Sequence, residues 1–294
     1  MRAPACQFSV IVPTYGRPAA LAECLAALAR LDYPPDRFEV IVVDDGSPTP
    51  VVPPPAAPDL RRRVLRTPNR GPGAARNAGA AVAAGRWLAF TDDDCRPARG
   101  WLAGFAACLR DRPEHLAGGR TVNRLPGNPW SETSQVIQDV AYAYYNADPS
   151  APRFFASSNL AVPAERFRTL GGFLADEMRV AAEDRELCDR WRHAGLGLVY
   201  APDAVVEHAH PLGVAGFCRQ HFRYGRGARR YHALRARRGS GRLRQDVAFY
   251  ARFPALVRAR LGGLDRRQAA RVAVGLLLWQ LCNAAGYVWE GRRT

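Results

Sequence analysis

Short apolar runs alternate with Ala-rich stretches through the first ninety residues. Residues 8–12 are apolar and β-branched, as in a buried strand. Residues 18–30 are rich in Ala and Leu, with a proline where a first helical turn tolerates one. Apolar runs return at 38–43, briefly at 64–65, and at 87–91, and an Ala-rich helix over 73–84 precedes the last. The proline-rich segment 48–58 can be neither helix nor central strand, so it is expected on the surface as a loop. Strand, helix, strand, helix, strand predicts an α/β fold, with a Rossmann-like, doubly wound, mostly parallel sheet.

The middle is less regular. Residues 131–145 read as a helix, and 154–163 as a strand region broken at Ser157-Ser158-Asn159. Gly171-Gly172-Phe173 marks a turn, 185–194 a helix with Glu183-Asp184 at its start, and 205–208 a last strand. Beyond residue 211 the pattern is helical and basic, and no internal repeat is visible.

Composition narrows the class. Of 294 residues, 48% are hydrophobic, which excludes a disordered chain. The seven cysteines are scattered, odd in number and without a Cys-x-x-Cys pair, which argues against a disulfide framework and fits a reducing cytosol. The chain enters a strand-like run almost at once, so no signal peptide is expected. All 42 basic residues are arginine, and their placement matters more than their number. Residues 217–294 hold 18 arginines and three acids, the whole net charge of +15, while residues 1–216 balance 24 arginines with 24 acids. A neutral part carrying chemistry and a basic part attached to something anionic is the simplest reading.

The chemistry centres on Asp92-Asp93-Asp94, where an apolar strand ends. Clustered carboxylates there need a cation, and side chains at i and i+2 of a strand share a side, so Asp92 and Asp94 are expected to aim at one point. Oxygen ligands suit Mg²⁺ or Mn²⁺. His208 and His210 follow the last strand, and one could add a ligand. Pro13, Thr14 and Tyr15 end the first strand, where an aromatic ring can stack on a base. Asp44 and Asp45 end the second, where a carboxylate can accept the imide N–H of uracil; a turn residue is the plain alternative. Gly71-x-Gly73 tempts a dinucleotide reading, but Arg76 stands where the third glycine belongs and the stretch follows the third strand. A loop feeding a helix, with Arg76 reaching toward a diphosphate, fits better. Glu183 and Asp184 suit a helix first turn on dipole grounds alone, or a general base.

The ordered set resembles family 2 glycosyltransferases. Val10-Ile-Val-Pro-Thr-Tyr15, Val43-Asp-Asp-Gly-Ser47, Gly71-Pro-Gly-Ala-Ala-Arg-Asn-Ala-Gly79, Phe90-Thr-Asp-Asp-Asp94, Gly171-Gly-Phe173, Glu183-Asp184 and Val205-x-x-His208 follow the family's order over about 70% of the chain. The resemblance implies a GT-A fold, a nucleotide-sugar donor, a divalent metal and inversion at the anomeric carbon. It assigns 1–211 to the catalytic domain, with a nucleotide-sugar half to about residue 95 and an acceptor half after it. Residues 212–294 remain as a basic helical extension. It places Thr14 and Tyr15 against the base, with Asp44 or Asp45 binding it. The donor and metal fall to Asp92 and Asp94, with Asp93 counted among the donor-binding residues. Asp184, or Glu183 failing it, becomes the base, and His208 contacts metal or diphosphate. Two departures stand out: Asp93 fills a position that is often small, and Cys95 replaces a fourth acid.

The expected activity is transfer from a UDP-sugar, the first donor choice, to a hydroxyl acceptor such as a lipid-linked or cell-envelope glycan. A nucleotidyltransferase would want a Gly-rich basic loop after the first strand, which Pro13 to Arg17 does not supply. A degenerate binding module would not need the full set of acids. In the basic segment 217–244, arginines alternate with Phe217, Phe222, Tyr224 and Tyr231, a composition open to RNA or an anionic bilayer. The apolar run 272–288 would span about 26 Å as a helix, borderline for crossing a membrane, or could pack in a core. Arginine and apolar run together favour the inner face of the cytoplasmic membrane over nucleic acid.

Overall fold

The computed structural model describes residues 6–53, 60–241 and 244–293. Its strands are β1 Phe8–Thr14, β2 Phe38–Asp44, β3 Arg62–Arg66, β4 Trp87–Thr91, β5 Cys95–Pro97, β6 Leu116–Asn123, β7 Asn159–Pro163 and β8 Leu198–His208. Its α-helices are α1 Pro18–Leu28, α2 Pro72–Val82, α3 Trp101–Arg110, α4 Pro129–Tyr145, α5 Ala164–Thr169, α6 Glu183–His193, α7 Val214–Arg238, α8 Arg244–Leu261 and α9 Arg266–Gly291. The strands form one sheet in the order β3-β2-β1-β4-β7-β6-β8-β5. Strands β3, β2, β1 and β4 are mutually parallel, as the alternation predicted. Strand β7 inserts antiparallel between β4 and β6, β6 and β8 run parallel, and β5 closes the edge antiparallel to β8.

Burial on both faces explains the continuous apolar strands. Phe8, Val10 and Val12 pack on Leu21 and Leu25 of α1 and join a core with Phe105 of α3, while Ile11, Ile41 and Phe90 face Ala75 of α2 and Leu187 and Trp191 of α6. The proline-rich segment 48–58 lies partly outside the described residues, and 48–53 form neither helix nor strand.

The sequence pattern had missed β5, β6, α3 and α5, and β8 begins seven residues before the expected 205. Strand β6 holds Gly118-Gly119, which weakens a strand signal. Both glycines are required by contact: a Cβ on Gly118 would lie 1.9 Å from the Phe155 ring, and one on Gly119 2.2 Å from Ala204 O. Beside them the β6–β8 register shifts, so neither strand shows clean alternation.

The segment after residue 211 is bound into the molecule. Phe217 of α7, Phe249 of α8, and Val272, Leu276 and Trp279 of α9 form a third core with Val136 and Val140 of α4. Helices α7 and α9 meet through glycines: a Cβ on Gly225 would lie 1.9 Å from Asn283 O, and one on Gly286 2.0 Å from Phe222 O. Asp265 caps α9, accepting from Arg267 and Gln268 N–H in a capping box.

Candidate active site

The C-terminal ends of β1 and β4 open into a cleft of about 1420 Å³, whose far wall is α4, α7 and α9. Such strand ends are where open α/β sheets bind ligands. Pro13, Thr14, Tyr15, Asp45, Arg76, Asp92, Glu183, Asp184 and His208 all line it. Tyr15 is half exposed, free to meet a planar ring.

Asp44, Asp93 and Asp94 do not line the cleft; Asp94 is buried behind it. The Asp44 carboxylate accepts from Ser47 N–H at 2.9 Å, Val51 N–H at 3.2 Å and Arg66 at 3.0 Å, which makes it a turn residue. Asp45 faces the cleft, and Arg70 and Gly71 N–H donate to it at 3.0 and 2.9 Å. Asp93 is wholly buried, where Thr14 Oγ1 donates to it at 2.7 Å and Arg17 Nε at 3.2 Å. Asp92 and Asp94 do not share one partner either. Strand β4 stops at Thr91, so the alternation that would align them ends before the second acid. Asp92 pairs with Arg76 at 2.6 Å. Asp94 meets Arg17 at 2.7 Å, His208 Nε2 at 3.2 Å and His210 Nδ1 at 2.9 Å.

Arg76 is 3% exposed and bridges Asp92 to Glu183 at 2.9 Å. It therefore organises two carboxylates of the cleft floor. Asp184 accepts from Arg185 N–H at 2.7 Å and Ser157 N–H at 3.3 Å. Burial, with the charge of Glu183 behind it, still raises its carboxyl to about 6, near the range useful to a general base. The loop before it is strained: Ala182 has φ of 69°, a left-handed backbone that a Cβ disfavours. Helix α7 holds this loop, since a Cβ on Gly227 would lie 2.6 Å from Ala181 O.

Sequence reasoning gave no role to Arg17 and left His210 without one. His210 Nδ1 faces the Asp94 carboxylate, and its Nε2 lies 2.8 Å from Gln220 Oε1 of α7. Both partners are oxygen acceptors, which favours the doubly protonated ring. Burial opposes that charge, but Asp94 outweighs it and the pKa is raised. Asp94 is likewise held well below the carboxylate range: burial works against ionisation, and the two histidines overcome it. Gln220 Nε2 continues to Tyr224 Oη at 3.2 Å. The signal for His210 was its i, i+2 spacing from His208; nothing in the sequence marked Arg17.

For a cation, the donor set fits. Ligand atoms of Asp94, Cys95 and His208 lie within 4.8 Å of one another. Burial holds the Cys95 thiol well above its usual value, so the carboxylate and the imidazole are the donors ready to ligate.

The family model for glycosyl transferase family 2 matches residues 9–166, more than half of the chain. The chain belongs to that family. A pre-mycofactocin glycosyltransferase of Mycobacterium tuberculosis is 32% identical over 211 residues, covering 69% of this chain but 42% of the relative. Glycosyltransferase AglE of Haloferax volcanii is 27% identical over 230 residues, covering 74% and 72%. This family 2 chain thus spans under half the length of the mycobacterial relative. Among solved structures, the mannosyltransferase PcManGT of Pyrobaculum calidifontis, in complex with GDP-Man and Mn²⁺, has a TM-score of 0.65 at 22% identity, covering 97% of this chain and 87% of that one. Staphylococcus aureus TarS 1–349 with UDP-GlcNAc has a TM-score of 0.55 at 18% identity, covering 96% and 89%. At such identity the likeness concerns the fold, and its coverage takes in most of the C-terminal helices.

Proposed function

We propose that the chain transfers a sugar from a nucleoside diphosphate sugar to an acceptor hydroxyl, with inversion at the anomeric carbon. The observation that carries this reading is Asp184, a partly buried carboxyl raised to about 6 in the cleft that Asp92 and Arg76 also line. Pro13, Thr14 and Tyr15 receive the base, and Asp45 accepts its imide N–H, which favours UDP-sugars as the first donors to test. Asp92, oriented by Arg76, takes the ribose. Asp94 and His208 hold the divalent cation, and His210 keeps Asp94 ionised. The cation, when bound, offsets charge developing on the leaving diphosphate. Asp184 withdraws the acceptor proton, and the hydroxyl oxygen attacks the anomeric carbon opposite the leaving group in one displacement. Glu183, tied to Arg76, positions the helix start and is the second choice of base.

The acceptor in this reading is a lipid-linked or cell-envelope glycan met at the inner face of the cytoplasmic membrane. Among the described residues, α9 is the helix long and apolar enough to cross a bilayer. One face packs on α7 and α4, while Val274, Leu277, Leu281, Val288 and Trp289 remain exposed along the other. Arg266, Arg267 and Arg271 precede that face and Arg292 and Arg293 follow it, a charge pattern complementary to anionic lipid. Val288 also lines the cleft, so the exposed face of α9 borders it.

Calorimetry of UDP, GDP and dTDP with and without Mn²⁺ tests the donor reading. Binding of one of them that needs Mn²⁺ and is lost in Asp94→Ala is expected. Absence of Mn²⁺-dependent binding for all three would overturn it.

A further inference from the structure

His221 of α7 is 1% exposed and lines the cleft, yet neither ring nitrogen has a hydrogen-bond partner. Leaving two buried polar atoms unpaired costs stability, and an unpaired pair inside a binding cleft points to a ligand. On α4, Ser134 Oγ is also buried, unpartnered and on the cleft wall. Both line the same cleft, and the rings of Trp130 and Phe217, one turn earlier on each helix, meet at 5.2 Å. The imidazole is fixed edge-on against Phe217, at 4.2 Å between ring centres, and against Tyr224 at 5.4 Å. Tyr224 lines the same cleft as Asp184, Glu183 and Asp92, so the His221 ring packs on part of that wall.

The chemistry of the missing partner follows. Burial, with the nearby His210, lowers the His221 pKa to about 4, so the ring is neutral at physiological pH. A neutral imidazole offers one N–H donor and one acceptor nitrogen. A phosphate would want a cation, and an apolar group would leave both nitrogens unpaired. A hydroxyl both donates and accepts, and so does Ser134 Oγ. We propose that His221 and Ser134 form a hydroxyl-recognition subsite that selects the sugar bound in this cleft. It rests on the glycosyl-transfer reading. Because His221 lies on α7, beyond the matched residues 9–166, that helix contributes to sugar choice in this reading.

The test uses the full chain with His221→Phe, His221→Asn and Ser134→Ala. Calorimetry with Mn²⁺ compares UDP and GDP with UDP-glucose, UDP-GlcNAc and GDP-mannose, and transfer is assayed on alkyl glycosides. If the hydroxyl belongs to the donor, His221→Phe keeps nucleoside diphosphate affinity within twofold and weakens the nucleotide sugar about tenfold. If it belongs to the acceptor, both affinities hold and the KM for the glycoside rises about tenfold. In either case His221→Asn, which keeps a donor and an acceptor, recovers part of the loss, and Ser134→Ala shifts the same quantity. His221→Phe should melt no lower than the native chain, since no internal hydrogen bond is lost. Unchanged sugar affinity and glycoside KM would overturn the subsite, as would a Phe variant that melts several degrees lower. If UDP and GDP fail to bind the native chain, the glycosyl-transfer reading fails first and this proposal goes with it.

Discussion

At the scale of residues, Asp184 and Arg76 set the behaviour of the cleft in opposite ways. Asp184→Asn removes the proposed base, so turnover should fall about 10²-fold or more while nucleotide affinity stays within a few-fold. The native rate should fall as pH drops below about 6, where Asp184 takes up its proton. Burial also raises Asp93 to about 6, so Asp93→Asn serves as the control that keeps the limb. Stability has its own sign. The folded pKa of Asp184 lies above its ordinary value, so the folded state binds the extra proton and loses stability as pH rises from about 4 through about 6. Asp184→Asn should therefore melt higher than the native chain at pH 8, with the gap closing toward pH 4. Arg76 is the reverse case. Arg76→Met leaves Asp92 and Glu183 facing each other uncompensated, a loss of about 3–5 kcal/mol in denaturant titration. Arg76→Lys should recover only part of this, because an ammonium cannot bridge two carboxylates with a planar fork.

At the scale of elements, the segment after residue 211 has a structural task that its composition hid. Gly227 lets α7 approach Ala181, next to the strained Ala182 and the proposed base. Gly227→Val should displace that loop and lower turnover more than nucleoside diphosphate affinity. Gly213→Ala, where an added Cβ meets nothing within 4 Å, should leave both near native. Strands β6 and β8 make the complementary point about legibility. Their Gly118-Gly119 pair and register shift erase the alternation on which a strand reading depends, whereas β1, β2 and β4, buried on both faces, declare themselves as apolar runs.

At the scale of the whole molecule, the basic tail divides its charge between the protein and the surface. Arg235 and Arg238 reach Asp189 at 3.2 Å, Arg238 also meets Glu186, and Arg260 meets Asp139 at 2.5 Å. The neutral first part and the basic last part are thus partly neutralised against each other. A chain cut near residue 211 would bare the α4 face of the third core, so point variants are the better probe. The full chain should float with anionic vesicles at low salt and be released by high salt. Leu277→Gln with Leu281→Gln should abolish flotation while preserving Mn²⁺-dependent nucleotide binding, since both side chains are exposed. Flotation that persists in the double variant would remove the α9 face from the membrane reading.

The sequence by itself determined the parallel start of the sheet and the acids that gather at its strand ends. Buried strands must be apolar, and carboxylates placed just after them stand out against that background. It also fixed the order of motifs from Pro13 to His208, because local turn and strand chemistry is written in consecutive residues. Only the tertiary structure separated Asp45 from Asp44 and Asp92 from Asp93, since the direction of a side chain past a strand end depends on the turn and not on alternation. Only it brought Arg17, His210 and His221 to the cleft from distant segments. The histidines meet the cleft through α7, which packs against the loop before α6, and Arg17 through its pairs with Asp93 and Asp94, contacts between residues far apart in sequence that no local pattern records.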